Sequence, residues 1–268
     1  MPLDPVMLLS FLALGTVAGV LAGLLGVGGG LVLVAALAWQ LPKQGVVPAE
    51  AAMHAALATS LASIVFTAMS SARAHARRGS VLWPTVAWMV PGILLGGWLG
   101  SRFAVALDGR WLRVGVAAYC LLAAAQLLLA KPKKAVDAET VPRGPWLAGA
   151  GTAIGVVSAL VGIGGGSMTV PLLTWRGVAP VRAVGTSSAC GIFIGLASAA
   201  GYALNAPAGA LPAHAIGYVY LPAALCVAMA SVLAAPLGTR IAHAISGPML
   251  KRVFALFLLA VGASLLLQ

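Results

Sequence analysis

Charge is what this sequence has least of. Only 8% of its 268 residues are charged, and five are acidic: Asp4, Glu50, Asp108, Asp137 and Glu139. Soluble domains carry about 25% charged residues, so an ordinary water-facing surface is excluded. All five carboxylates lie in or beside the loops between apolar runs. A cation carrier or a carboxylate proton relay normally places one in mid-span, so both are disfavoured and an anion is the better-matched cargo. Cysteine is also scarce. Cys120, Cys190 and Cys226 sit in apolar stretches with neither Cys-x-x-Cys nor Cys/His spacing, which argues against structural disulfides and zinc. Walker A, HExxH and acid/histidine clusters are missing, so ATP-driven pumping and intramembrane catalysis lack their residues. No enzyme activity, cofactor or metal is expected. Residues 1–10 hold Asp4 but no Lys or Arg. They lack the basic start of a secretory signal and read as the beginning of a retained span.

What is present is apolar. The chain is 61% hydrophobic with mean hydropathy +1.04, and its apolar runs are long and continuous rather than alternating, which favours helices over a barrel. Candidate segments cover residues 6–25, 31–41, 51–72, 81–107 and 111–130, then 145–161, 167–175, 181–204, 214–241 and 248–267. The second and seventh are too short for a bilayer core of ~30 Å at 1.5 Å per residue and read as half-helices. Each leaves a glycine cluster, Gly-Leu-Leu-Gly-Val-Gly-Gly-Gly at 23–30 and Ala-Leu-Val-Gly-Ile-Gly-Gly-Gly at 159–166. In a membrane such a break survives where protein or a water-filled cavity satisfies the freed backbone groups.

The two clusters belong to a duplication. Gly28, Gly29 and Gly30 match Gly164, Gly165 and Gly166; Ala58-Thr59-Ser60 matches Gly185-Thr186-Ser187; Gly100-Ser101-Arg102 matches Gly238-Thr239-Arg240; Leu112-Arg113 matches Leu250-Lys251, all at offsets of 127 to 138. Residues 1–130 and 145–268 are read as two transmembrane repeats. Residues 131–144, KPKKAVDAETVPRG, are a polar, proline-containing linker. Loop charge orients them. Arg73, Arg77 and Arg78 mark one loop as cytoplasmic, whereas its counterpart, 205–213, is uncharged. Working outward, 12 of the 16 basic residues fall inside and both termini outside. The expected fold is therefore all-α: a polytopic bundle in the cell membrane, built from two inverted repeats with glycine-broken half-helices, a transporter architecture. The net charge of +11 follows from loop topology and anionic headgroups, so no nucleic-acid partner is expected. The lipid bilayer and a small anion are the expected partners, protons a candidate coupling ion, and a homodimer is left open.

A half-helix beginning at Leu31 or Ser167 points unpaired N–H groups and its positive dipole end at the break. Glycine lets an anion approach those groups closely. Substrate-binding candidates are Gly28, Gly29, Gly30, Gly164, Gly165, Gly166 and Ser167, with the hydroxyls of Thr59, Ser60, Thr186, Ser187 and Ser188 in the adjoining helices. Tight helix packing by small residues and hydroxyl bonds back to the helix are the alternatives; for Ser63, Ser70 and Ser198 the latter is preferred. His54, about one turn before Thr59, could titrate and couple protons or be a hydrogen-bonded structural residue. Arg102 and Arg240 read as interfacial side chains before anion attractors.

The duplicated GxGGG, His54–Val81 (HAALATSLASIVFTAMSSARAHARRGSV) and Val184–Tyr202 (VGTSSACGIFIGLASAAGY) resemble the TauE/SafE family of sulfite and organosulfur-anion exporters across nearly the whole chain. The departures are Ser167 after the second glycine cluster where Leu31 follows the first, and Gly185 where Ala58 precedes the first Thr-Ser. The resemblance implies export of a sulfur-containing anion such as sulfite, a sulfonate or a sulfoacetate-like compound. A non-transporting membrane scaffold that uses its glycines only for packing is the rival expectation; the short loops offer no partner domain.

Overall fold

Apolar runs punctuated by glycine, proline and charge form ten helices in the computed structural model, which describes residues 4–25, 29–129, 141–211, 214–244 and 247–267. They are α1 (Pro5–Leu25), α2 (Gly30–Lys43), α3 (Ala52–Ala76), α4 (Trp83–Ala106), α5 (Gly109–Leu129), α6 (Trp146–Val161), α7 (Gly166–Trp175), α8 (Pro180–Leu204), α9 (Leu221–Ala244) and α10 (Gly247–Leu266). The stretches Pro5–Gly23, Ala49–Ala76, Trp83–Ala106, Pro180–Leu204 and Leu221–Gly238 are long and apolar enough to cross a membrane. Proline in the first turn of α4 and α8 starts those helices, where its missing N–H costs nothing. At 14 and 10 residues, α2 and α7 are the half-helices expected from their length.

One expected segment is divided. Residues 214–220, read above as the start of the ninth helix, form an antiparallel hairpin, β1 (Ala215–Ile216) and β2 (Val219–Tyr220). Gly217, at φ +56°, supplies the left-handed turn that an L side chain resists. Ile216, Val219 and Tyr220 are residue types that favour strands.

The centre of the bundle is α3, packed on α8, α9 and α2; α8 packs in turn on α4 and α7. Around this core α1 lies on α9, α4 on α6, and α5 on α10. Exchanging α1–α5 with α6–α10 maps each of these principal pairings onto another of them, or onto itself.

Glycine sets the outer pairings. A Cβ on Gly15 or Gly19 of α1 would stand 2.7 Å from the Val227 carbonyl oxygen or 2.5 Å from that of Ser231 on α9. Gly151 and Gly155, the matching positions on α6, have the same relation to α4, at 2.5 Å from the Met89 and 2.7 Å from the Ile93 carbonyl oxygens. Backbones this close gain dispersion contacts that lipid, as apolar as leucine, cannot replace. The far ends of the half-helices also match: Trp39 of α2 and Trp175 of α7 are both exposed, and the Lys43 ammonium sits 3.9 Å over the Trp39 ring. Tryptophan and long cations of this kind belong to the membrane–water boundary.

The packing makes a matched prediction. Gly155→Leu must push α6 off α4 and is expected to abolish monodisperse protein in detergent. Gly149→Leu, one and a half turns away with no atom within 4 Å of its added Cβ, is expected to leave elution and Tm unchanged; equal behaviour of the two variants would contradict the close-approach account.

Candidate functional site

Each half-helix begins on a left-handed glycine. Gly29 caps α2 at φ 66° and Gly165 caps α7 at φ 75°, matching positions in the two repeats of sequence. Such a φ costs an L residue roughly 1–2 kcal/mol. Gly162, also left-handed at φ 75°, closes α6 by donating its N–H to the Ser158 carbonyl at 2.8 Å. Residues 26–28, and with them Gly28, lie outside the described residues. The breaks touch: a Cβ on Gly30 would run into the Gly162 carbonyl oxygen. The Ser60 hydroxyl of α3 ties them together, lying 3.2 Å from the Gly30 and 3.1 Å from the Gly162 carbonyl oxygen. Gly30, Gly162 and Ser60 thus meet at one buried point, and the Ser60 proton is engaged by backbone.

The two threonines do one job twice. Thr59 Oγ1 accepts the Tyr220 N–H at 3.1 Å, immediately before α9, and Thr186 Oγ1 accepts the Leu82 N–H at 3.0 Å, immediately before α4. Each satisfies a backbone donor at a helix start that belongs to the other half of the sequence.

The serines after them differ. Ser187, the counterpart of Ser60, is buried and its hydroxyl has no protein partner. Ser188 donates to the Val184 carbonyl at 3.0 Å and lies 3.0 Å from the Ser71 hydroxyl. Ser187, Ser188 and Gly164 line a cavity of about 20 Å³ together with Gly191 of α8, Ala22 of α1, and Ile64, Thr67, Ala68 and Ser71 of α3. That volume holds about one water. None of the described lining residues is charged.

Other candidates stand apart. Ser167 is hydrogen-bonded to the Tyr119 hydroxyl on α5. Gly165 and Gly166 are buried at the start of α7 outside the cavity lining. His54 precedes Ile64 by ten residues of α3, about 15 Å along the axis. Its Nε2 lies 3.0 Å from the Leu107 and 3.2 Å from the Ala104 carbonyl oxygen, so Nε2 carries the proton that it donates to the end of α4. Its ring stacks on Tyr218 at 4.8 Å, and Nδ1 is buried without a partner. Burial pushes the Tyr218 phenol above its ordinary value, which keeps that face neutral. Arg102 and Arg240 are both exposed.

Comparison with known proteins fixes the class. The profile described as sulfite exporter TauE/SafE matches residues 11–265. The chain belongs to the TauE/SafE family. A Haemophilus influenzae protein named "Probable membrane transporter protein" is 34% identical over 258 residues, covering 96% of this chain and 97% of that one. No solved structure matches. The chain is thus a multi-pass membrane transporter and not an enzyme, embedded in lipid and moving a small substrate.

Sequence reading missed two lining residues of this TauE/SafE chain, Thr67 and Ser71. A signal was present: Thr59, Ser63, Thr67 and Ser71 follow at strides of four, which stacks their hydroxyls on one face of a helix. The reciprocal threonine bonds also make a prediction. Thr59→Val and Thr186→Val each strand a buried N–H at a cost of about 1–3 kcal/mol, and a few degrees of Tm are expected to be lost in each case. Thr→Ser at either site is expected to restore most of the loss; unchanged melting of both valine variants would show that the bonds carry no stability.

Proposed function

We propose that this transporter is a secondary exporter of a sulfur-containing oxyanion, sulfite or a small sulfonate, working by alternating access of two inverted repeats around the cavity beside the second glycine break. One observation carries the proposal: the buried Ser187 hydroxyl, without a protein partner, lines a neutral cavity shared with Gly164 and Ser188. A hydroxyl donates to an oxyanion without the fixed countercharge that would hold it too tightly to release. Gly164, in the lining, carries no side chain between the cavity and the chain that leads into α7, so an anion can come close to the backbone there. Packing of α1 on α9 and of α4 on α6 is carried by other glycines, among them Gly15, Gly19, Gly151 and Gly155, which leaves Gly164 to the cavity and disfavours the scaffold alternative.

At about one water in volume, the cavity corresponds to a closed state, and substrate entry requires α3 and α8 to part. Ser71 and Ser188 sit toward the end of the bundle that carries Arg73, Arg77 and Arg78. In the orientation given by loop charge, that end is cytoplasmic, so the cavity loads from inside, as an exporter requires. Matching Trp39 and Trp175 at the ends of the two half-helices support the repeat, and the unequal loop charges support its inversion. Coupling to protons, in this scheme, runs through His54 or through the ionisation of the substrate itself.

The test is flux into proteoliposomes of sulfite and a panel of small sulfonates. Saturable transport of at least one is expected. Ser187→Ala, losing one charge-assisted hydrogen bond, should cut it by about tenfold or more. Gly191→Ala, whose new methyl would project to within 3.1 Å of the Gly164 carbonyl oxygen and 3.4 Å of the Ala68 Cβ, should narrow the site and slow transport as well. Wild-type rates in both folded variants would remove the cavity from the pathway. For orientation, Arg77→Cys should react with an impermeant thiol reagent only from the cytoplasmic face; labelling from outside would invert the topology.

A further inference from the structure

We propose, resting on the assignment of this cavity as the anion site, that the site admits monoanions and rejects dianions. Sulfite would then be carried as hydrogensulfite, with its proton travelling on the substrate rather than on a side chain. The lining offers four hydroxyls, Thr67 and Ser71 from α3 with Ser187 and Ser188 from α8, and otherwise only alanine, glycine and Ile64. Thr67 and Ser71 are the specificity residues added here. The Thr67 hydroxyl lies 2.6 Å from that of Ser231 on α9 and 3.2 Å from the Ser63 carbonyl oxygen, so its single proton is engaged. Ser71 and Ser188 share a contact of 3.0 Å, and Ser188 also reaches the Val184 carbonyl. Ser187 is the uncommitted donor.

So small a set of neutral donors suits one negative charge. The cost of bringing an ion out of water rises with the square of its charge, so a dianion meets four times the penalty of a monoanion of the same size, and it must be offset by compensating cations or many donors. Hydroxyls have a second property that a lysine or arginine lacks: each accepts as well as donates. Hydrogensulfite, with a proton to give and oxygens that accept, satisfies both sides of such a hydroxyl; sulfite dianion satisfies one.

None of the described lining residues is charged or titratable, and such groups lie beyond the lining. On α8 the nearest charge is Arg182, five residues from Ser187, and the nearest titratable group is the buried Cys190, three residues from it. On α3, Arg73 and His75 follow Ser71 toward the loop, with Arg73 exposed. Nothing titratable occurs in α1, in α6 from Leu147 onward or in α7, and on α9 the nearest cation to Ser231 is the exposed Arg240. These cations concentrate anions of any charge at the mouth; selection falls to the neutral cavity behind them. His54, about 15 Å along α3 from Ile64 and donating to the end of α4, is outside the proton's route.

The experiment compares initial flux of sulfite with that of methanesulfonate, a monoanion at all working pH, in proteoliposomes at equal total concentration from about pH 6 to about pH 9. Methanesulfonate reports any titration of the protein. The sulfite-to-methanesulfonate ratio is expected to fall by about tenfold per pH unit once the dianion predominates, and to keep that profile in His54→Gln. Ser71→Lys, which adds a cation at the lining, is expected to flatten the fall. A ratio that stays level or rises with pH in the wild type overturns the proposal while leaving the site intact, because methanesulfonate still moves. Loss of the fall in His54→Gln moves the proton to the imidazole and also overturns it. No flux of either anion from folded protein removes the site and the inference together.

Discussion

Everything in this bundle depends on backbones approaching backbones. Lipid gives two apolar helices no reason to prefer each other over the solvent around them, so association has to come from contact distance. In α1 and α6 a glycine every fourth residue removes the side chains that would keep the partner away, and α9 and α4 come close enough that a single added carbon would meet a carbonyl oxygen. Because these pairings join helices from opposite halves of the sequence, they also set where α3 and α8 must lie. The cavity between α3 and α8 is therefore a product of packing carried out elsewhere, on the outer faces of the bundle.

The chain breaks show the same economy with polar groups. A helix that ends in a bilayer leaves N–H and C=O groups with nothing to bond. Here the left-handed Gly162 turns its own N–H back onto α6, and Ser60 bonds the carbonyls of Gly30 and Gly162. The threonines quench the donors that open α4 and α9. Among the four described hydroxyls that line the cavity, that of Ser187 is the one left without a protein partner. The matched residues Ser60 and Ser187 thus differ in use: Ser60 holds two breaks together, while Ser187 faces the cavity.

Much of this was legible before any coordinates. Ten apolar runs could be counted because glycine, proline and charge punctuate them, and the half-helices followed from length alone. The duplication pointed to Thr59-Ser60 and Thr186-Ser187 as a pair. It could not say what each hydroxyl bonds, because Thr59 finds its partner 161 residues away and Thr186 finds its partner 104 residues back. Residues 214–220 looked helical because the same apolar side chains serve a strand; the left-handed turn at Gly217 and the pairing of Tyr220 with Thr59 decide otherwise. The glycine stripes of α1 and α6 were readable from their spacing, as were Thr67 and Ser71, but spacing on one helix gains meaning only once the facing helix is known. His54 stands near Thr59 in sequence, yet its bonds run to the end of α4.

The interlaced pairings bear on how such a protein is made. Helices leave the insertion machinery in order, so α1 enters the bilayer long before α9 exists, and α4 precedes α6 by a whole helix and a linker. Until their partners arrive, the glycine faces of α1 and α4 rest against lipid with their closest contacts unmade. The early half keeps the packing of α2 on α3 but lacks the close backbone contacts of α1 and α4. Assembly is then a late event: α4 can pair only once α6 emerges and α1 only once α9 does, and a ribosome that stops after α5 leaves both pairings unmade.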